Sequence, residues 1–228
     1  AGATLSPQEM HIRFLKEALP GAPLVMHGGV VKLGSTDGVF CLDMRHADGA
    51  PSSCFTMKAA HVDTRGFTAF PWSARTRAKA KQIASKVPAH AVARSIDLDA
   101  PLADVSRQAA IDAGATRVGG SMVSPDQCDA FGRLRCEHVI GRISDSVPNL
   151  LAQWRREAAA ESGANAPAGA VVEARLVLRR LPRAGDLIEV YTGLVDVGDK
   201  TMKLVHWIVD PERGGAWASM EVTALTFD

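Results

Sequence analysis

Asp129 and Gly132 stand three residues apart in the run Gln127-Cys128-Asp129-Ala130-Phe131-Gly132, directly ahead of a long stretch with helical periodicity. A carboxylate there can attack a carbonyl carbon or take a proton from water, and a helix start offers unpaired amides where negative charge develops on the oxygen. Gly132 has no side chain to hold a substrate away from the backbone. The same spacing also suits a plain helix cap, a frequent use of aspartate. Glu137 follows Asp129 by eight residues and is either a second catalytic carboxylate or a solvated, salt-bridged one. Ser144, Asp145 and Asn149 form a polar cluster against an otherwise apolar face, placed to read a substrate head group.

These residues need a helix to carry them. Val139, Ile143, Val147, Leu150, Leu151 and Trp154 recur at three- and four-residue steps, the pattern of a buried helix, and Pro148 should bend or restart it. A short strand around Gly119 to Val123 precedes the site. Strands separated by turn signals follow: DLIEVYTGLVDVG, TMKLVHWIVD and AWASMEVTALTFD. Leu204, His206 and Ile208 share one face of the middle strand while Val205, Trp207 and Val209 share the other, so this sheet is covered on both sides. Trp207 and Trp217 read as core.

The chain also matches itself at a spacing of 164 residues: Glu9 to Gly34 lies over Glu173 to Gly198, pairing Glu9 with Glu173, Gly21 with Gly185 and Gly34 with Gly198. With one inserted residue, Asp63 falls on Asp228. Two copies of one unit usually share a groove. The first copy repeats the meander from Gly21 to Asp63, and the alignment makes Met10 to Ala18 an edge or early strand rather than a helix. It lacks a counterpart of Gly119 to Val172, so it reads as incomplete, with an apolar surface that implies either a partner subunit there or disorder in a longer native chain. Between the copies, Ser73 to Lys86 has helix-forming composition and a basic face, and VPAHAVARSIDLDAP reads as a linker. The expected division is a partial N-terminal unit over 1–72, a helix and linker over 73–118, and a complete unit over 119–228.

A strand, a long helix and a bent antiparallel meander is the element order of a hotdog fold, and two such units make a double hotdog, an α+β architecture. The Asp129–Gly132 motif resembles the D-x-x-G signature of hotdog acyl-CoA thioesterases of the 4-hydroxybenzoyl-CoA thioesterase type. The resemblance covers Gly119 to Asp228 and the meander of the first copy. It implies that Asp129 is nucleophile or general base, that amides near Gly132 bind the oxyanion, and that Glu137 sits where some relatives place a catalytic glutamate. Some of these families have histidine after the glycine; here Arg133 stands there, which leaves polarisation to the amides or lets Arg133 meet the phosphates of coenzyme A, a role open also to the Ser73–Lys86 helix.

The phrase EMHIRFLKEALPGAPL, followed by HVDTR, is similar to hotdog thioesterases of carnitine and betaine catabolism, which implies betainyl-CoA as substrate. Glu9 and Glu173 would then flank a groove and attract a cationic acyl group; the alternative is edge charges that discourage aggregation. His11 reads as a structural histidine. The expected function is hydrolysis of a short or polar acyl-CoA thioester. A hotdog enoyl-CoA hydratase would need histidine five residues after the aspartate, where this chain has Leu134, and a non-catalytic acyl-CoA-binding domain is the other alternative.

Composition restricts the rest. With 26 basic and 25 acidic residues and a net charge of +1, nothing suggests a nucleic-acid partner or a polybasic membrane patch. Cys41, Cys54, Cys128 and Cys136 have no zinc spacing and read as free thiols in a reducing cytoplasm. There is no phosphate-binding glycine loop, no metal constellation, no apolar run long enough for a membrane span and no secretion leader, so cofactor-free hydrolysis by a cytoplasmic homo-oligomer is the expectation.

Overall fold

The computed structural model describes residues 2–101, 103, 105–162 and 168–227; Asp228, the repeat partner of Asp63, lies outside them. The described chain divides into two compact units, one of residues 1–98 with 172–176, the other of 99–171 with 177–228.

In the first unit, β1 (Ala3–Phe14), β2 (Leu24–Leu33), β3 (Asp37–His46) and β4 (Pro51–Asp63) form an antiparallel sheet in the order β2-β3-β4-β1. Met10 pairs with Met57 and His11 with Thr56, so the segment with helical residue preference is strand, as its repeat partner implies. Alternate side chains take opposite faces. One face carries Cys41 and Cys54, which pack on Ala91, and Asp43, which accepts from His90 at 2.9 Å. Helix α1 (Ala74–Gln82) begins at Ser73, whose hydroxyl accepts from the Thr76 amide at 3.1 Å, and it buries no residue. Beyond it, Ile83 and Ser85 bond the backbone of Val30.

In the second unit, helix α2 (Arg107–Asp112) leads to β5 (Thr116–Met122), α3 (Cys136–Ser162), β6 (Ala168–Leu178, of which 172–176 fall to the first unit), β7 (Leu187–Val197), β8 (Thr201–Val209) and β9 (Ala216–Phe227). The antiparallel order is β9-β8-β7-β5. Gly119 brings α3 onto this sheet: a methyl group there would stand 2.2 Å from Ser146 Oγ and 3.0 Å from its Cβ. Leu204, His206 and Ile208 are buried on that face. On the other, Ala110 of α2 packs with Tyr191, Val209 and Trp207.

Pro148 does not interrupt α3, which is continuous from Cys136 to Ser162. Pro148 and Ser144 are both exposed, so the carbonyl that loses its donor faces water and needs no protein partner.

The repeat extends to irregularities. The shift in pairing between Val30 and Lys32 recurs between Leu194 and Asp196, and the one between Met44 and Arg45 recurs between Ile208 and Val209, each 164 residues on. Gly21 and Gly185 both adopt positive φ, 83° and 92°, at the turn entering the meander, a conformation that costs side chains dearly.

Candidate active site

Asp129 lies in a tight loop rather than at the helix boundary. Cys128 and Leu134 bridge across that loop, the Asp129 amide donates to the Arg133 carbonyl at 2.7 Å, and the Gly132 amide donates back to the Asp129 carbonyl at 3.0 Å. Gly132 has φ 73°, and a methyl group added there would meet nothing within 4 Å. The Leu134 amide donates to Pro182 at 2.8 Å, which ties the loop to the turn before β7.

The Asp129 carboxylate accepts from the amides of Phe131 at 2.8 Å and Arg133 at 3.0 Å, and from Arg133 Nη2 at 3.0 Å. Burial pushes its pKa up, but the Arg133 and Phe131 amides and the Arg133 guanidinium outweigh burial and hold it below the ordinary aspartate value. The group is therefore ionised at neutral pH, as a nucleophile or general base must be.

Two expectations change here. The cap reading of Asp129 fails, because α3 starts only at Cys136. The Gly132 amide is already spent on its own loop, and the first amides of α3 are those of Cys136 and Glu137. The Cys136 thiol sits beside them, yet burial and then the Glu137 charge raise its pKa, which disfavours a thiolate.

Glu137 is 62% exposed in its side chain and pairs with Arg135 Nε at 2.9 Å, the solvated arrangement. Arg133 is engaged with Asp129 and lies 5.8 Å from the Phe131 ring centroid. Asn149 Nδ2 donates to the Val118 carbonyl at 2.7 Å, fastening α3 to β5.

Glu173 is put to a different use from the one expected. Fully buried within the first unit, it accepts from His11 Nε2 at 2.8 Å, Arg13 Nη1 at 2.9 Å, the Ser95 amide at 2.9 Å, the Arg94 amide at 3.1 Å and the Ser95 hydroxyl. Burial raises its pKa, and the Ser95 hydroxyl, His11 and the two amides more than reverse this, lowering it to about 2. With its oxygens occupied by these donors and no solvent exposure, Glu173 has nothing left to offer a cationic acyl group. Glu9 is paired with Arg175 Nε at 2.7 Å. No local signal in the sequence pointed to Arg94 and Ser95 as partners of Glu173, since they lie 79 and 78 residues away.

Among the described residues, no group of three or more His, Cys, Asp or Glu is placed to hold a metal ion, and no helix is long and apolar enough to cross a membrane.

Residues 123–228 match the thioesterase-like superfamily. No curated protein matches the chain. Among solved structures, a Lactobacillus plantarum protein assigned as an oleoyl thioesterase superimposes with TM-score 0.72 at 10% identity, covering 100% of this chain and 78% of that one. The 12:0-ACP thioesterase of Umbellularia californica gives 0.71 at 11%, covering 99% and 74%. An acyl-CoA thioesterase II of Mycobacterium marinum gives 0.53 at 12%, covering 98% and 81%. At such identities these likenesses speak for the fold, and the superfamily match speaks for the unit that carries Asp129. Residues 123–228 thus resemble the thioesterase-like superfamily, and the chain shares the fold of these solved thioesterase structures.

Proposed function

We propose that the chain hydrolyses the thioester of a short or polar acyl-CoA, giving the free acid and coenzyme A, with Asp129 as the reacting carboxylate. The observation that carries this reading is an ionised, part-buried aspartate held in a glycine loop and close in sequence to the amides at the start of α3. An ionised carboxylate either adds to the thioester carbonyl, expelling the thiolate and leaving an acyl anhydride that water cleaves, or removes a proton from the attacking water. In both routes the carbonyl oxygen gains negative charge, which the Cys136 and Glu137 amides would stabilise. Arg133 keeps the carboxylate ionised and oriented.

The reading extends to architecture. The recurrence of strands, turn glycines and bulges at one spacing supports a double hotdog. Four unpaired thiols suit a reducing, cytoplasmic setting.

A second reading rests on the same loop. The Asp129 carboxylate is bound by Arg133 and two amides of its own turn, which favours a clasp that shapes an acyl-CoA-binding surface without chemistry. Thiol release from a panel of short, branched, hydroxylated and betainyl CoA esters separates the two. Hydrolysis predicts turnover with at least one ester and a fall in kcat of about 100-fold or more in Asp129→Asn. Release by no ester would leave the binding reading, and unchanged release in Asp129→Asn would remove Asp129 from the chemistry.

A further inference from the structure

Helix α1 and the segment that follows it bound a cleft against the end of β2, wholly within the first unit. The Trp72 indole donates to the Asp37 carbonyl at 3.0 Å and the Trp72 amide to the Ser35 carbonyl at 3.2 Å, which fixes the entry of the helix. At its exit, Ile83 and Ser85 bond Val30, and Gly29 permits the approach: a methyl group there would stand 2.5 Å from Ser85 Cβ. The space enclosed is about 370 Å³, within the range of roughly 300–1,000 Å³ typical of small-molecule sites.

The lining carries charge of one sign. Lys32, Arg77 and Lys81 line the cleft with no acidic residue, and the other walls are Val30, Val31, Leu33, Ala80 and Ala84. Among the described residues neither lysine ammonium has a carboxylate partner. Arg77 spends one of its five donors on the Ser35 carbonyl, at 3.2 Å.

Packing alone does not explain why the helix sits here. It buries no residue, and it carries Arg75 and Arg77 near its positive pole with no acidic residue in the first turn to offset them. The second copy supplies an internal comparison. The corresponding end of β7 has the same shift in pairing, yet Leu194, Val195 and Val197 there are 50%, 64% and 65% exposed, and Asp196 stands at the position of Lys32. The strand pattern common to both copies therefore requires neither the cleft nor its charge.

We propose that this cleft binds a phosphate monoester carried on an apolar or planar body of nucleoside size. A single carboxylate would leave two of the three cations uncompensated. A phosphate monoester brings a charge of about −1.5 to −2 at neutral pH and three acceptor oxygens, to which the Arg77 fork and the two ammonium groups can donate. The five apolar walls receive the body that carries it. Coenzyme A bears such a group on its adenosine ribose, and free nucleotides bear one too.

Calorimetric titration of the intact chain with adenosine monophosphate, coenzyme A, dephospho-coenzyme A and adenosine tests the site. At least one of the first two should bind saturably at one per chain, adenosine should not bind, and affinity should fall as salt rises. Lys32→Asp, which introduces the charge found in the second copy, and Lys81→Ala should each weaken that binding at least tenfold; both positions are exposed, so the fold tolerates the changes. Lys79→Ala, on the same helix but outside the cleft, should leave it unchanged. Binding of coenzyme A that dephospho-coenzyme A and adenosine monophosphate fail to match would assign the group to the ribose phosphate of coenzyme A. Equal binding of adenosine monophosphate would assign it to a free nucleotide, and either result supports the site. Absence of saturable binding by any phosphate monoester, or equal affinity for Lys32→Asp, would overturn the proposal. So would equal weakening by Lys79→Ala, the sign of diffuse attraction to a basic helix. Coenzyme A carries no thioester, so none of these titrations involves turnover and their outcome stands apart from that of the hydrolysis assay.

Discussion

His11 Nε2 lies 2.8 Å from Glu173, and the repeat counterparts of these two residues, Arg175 and Glu9, make the same contact in reverse at 2.7 Å. The exchange is the reciprocity expected of two related strands, in which residue i meets j and j meets i. The two carboxylates are nevertheless unequal. Glu173 is fully enclosed, whereas the Glu9 side chain is 27% exposed and Arg175 has a second acceptor in the Asp97 carbonyl.

Glu173→Gln should therefore cost about 3–5 kcal/mol, because it leaves Arg13 buried without its counter-charge. Glu9→Gln should cost about 1 kcal/mol. Urea unfolding followed at strands of the first unit measures both, and equal losses would contradict the asymmetry.

Acid should act on the two units in separate pH windows. Burial lowers the His206 pKa to about 4 from 6.5, so its neutral form stabilises the fold fully above pH 6.5 and that contribution is lost as pH falls toward 4. The depressed Glu173 contributes fully above its ordinary value of 4.5 and is lost as pH falls toward 2. Each shift corresponds to something on the order of 3 kcal/mol. Hydrogen exchange between pH 7 and 3 should show β7 and β8 losing protection before β1, and His206→Asn should delay that first loss. Simultaneous loss would contradict this order.

Gly119→Ala should destabilise the second unit by about 1–3 kcal/mol, since the new methyl group meets Ser146. Ser146→Ala removes the oxygen 2.2 Å away and leaves the Cβ at 3.0 Å, so the double variant should recover part of the loss. Additive costs in thermal unfolding would mean that α3 does not approach β5 as described.

Arg133→Ala removes both side-chain bonds to Asp129 and the adjacent positive charge. The Asp129 pKa should rise, and because the proposed reacting form is the carboxylate, the acid limb of kcat/KM should move to higher pH. Arg133→Lys should restore part of the shift. A pH profile identical to that of the unaltered chain would show that Asp129 does not titrate in the rate.

The strands and turns were legible in the sequence because their information is local or periodic. The repeat placed Met10 in a strand against its helical preference, and apolar spacing located α3. The reading went astray where several distant segments act together. Asp129 was placed at the start of the helix, whereas the loop that carries it closes through Arg133 and Pro182 before α3 begins. Glu173 looked available to a ligand because its donors come from residues 11, 13, 94 and 95. Pro148 looked like a break because the exposure of Ser144 cannot be read from spacing.

By itself the sequence determined the meander, its repetition, the core helix and the position of Asp129 ahead of that helix, all of which follow from side-chain periodicity and backbone preference along the chain. Only the tertiary structure decided which carboxylates are free and which are spent. A charge in a protein interior is set by the balance of desolvation against the donors that converge on it, and those donors arrive from strands and loops that no interval along the chain connects.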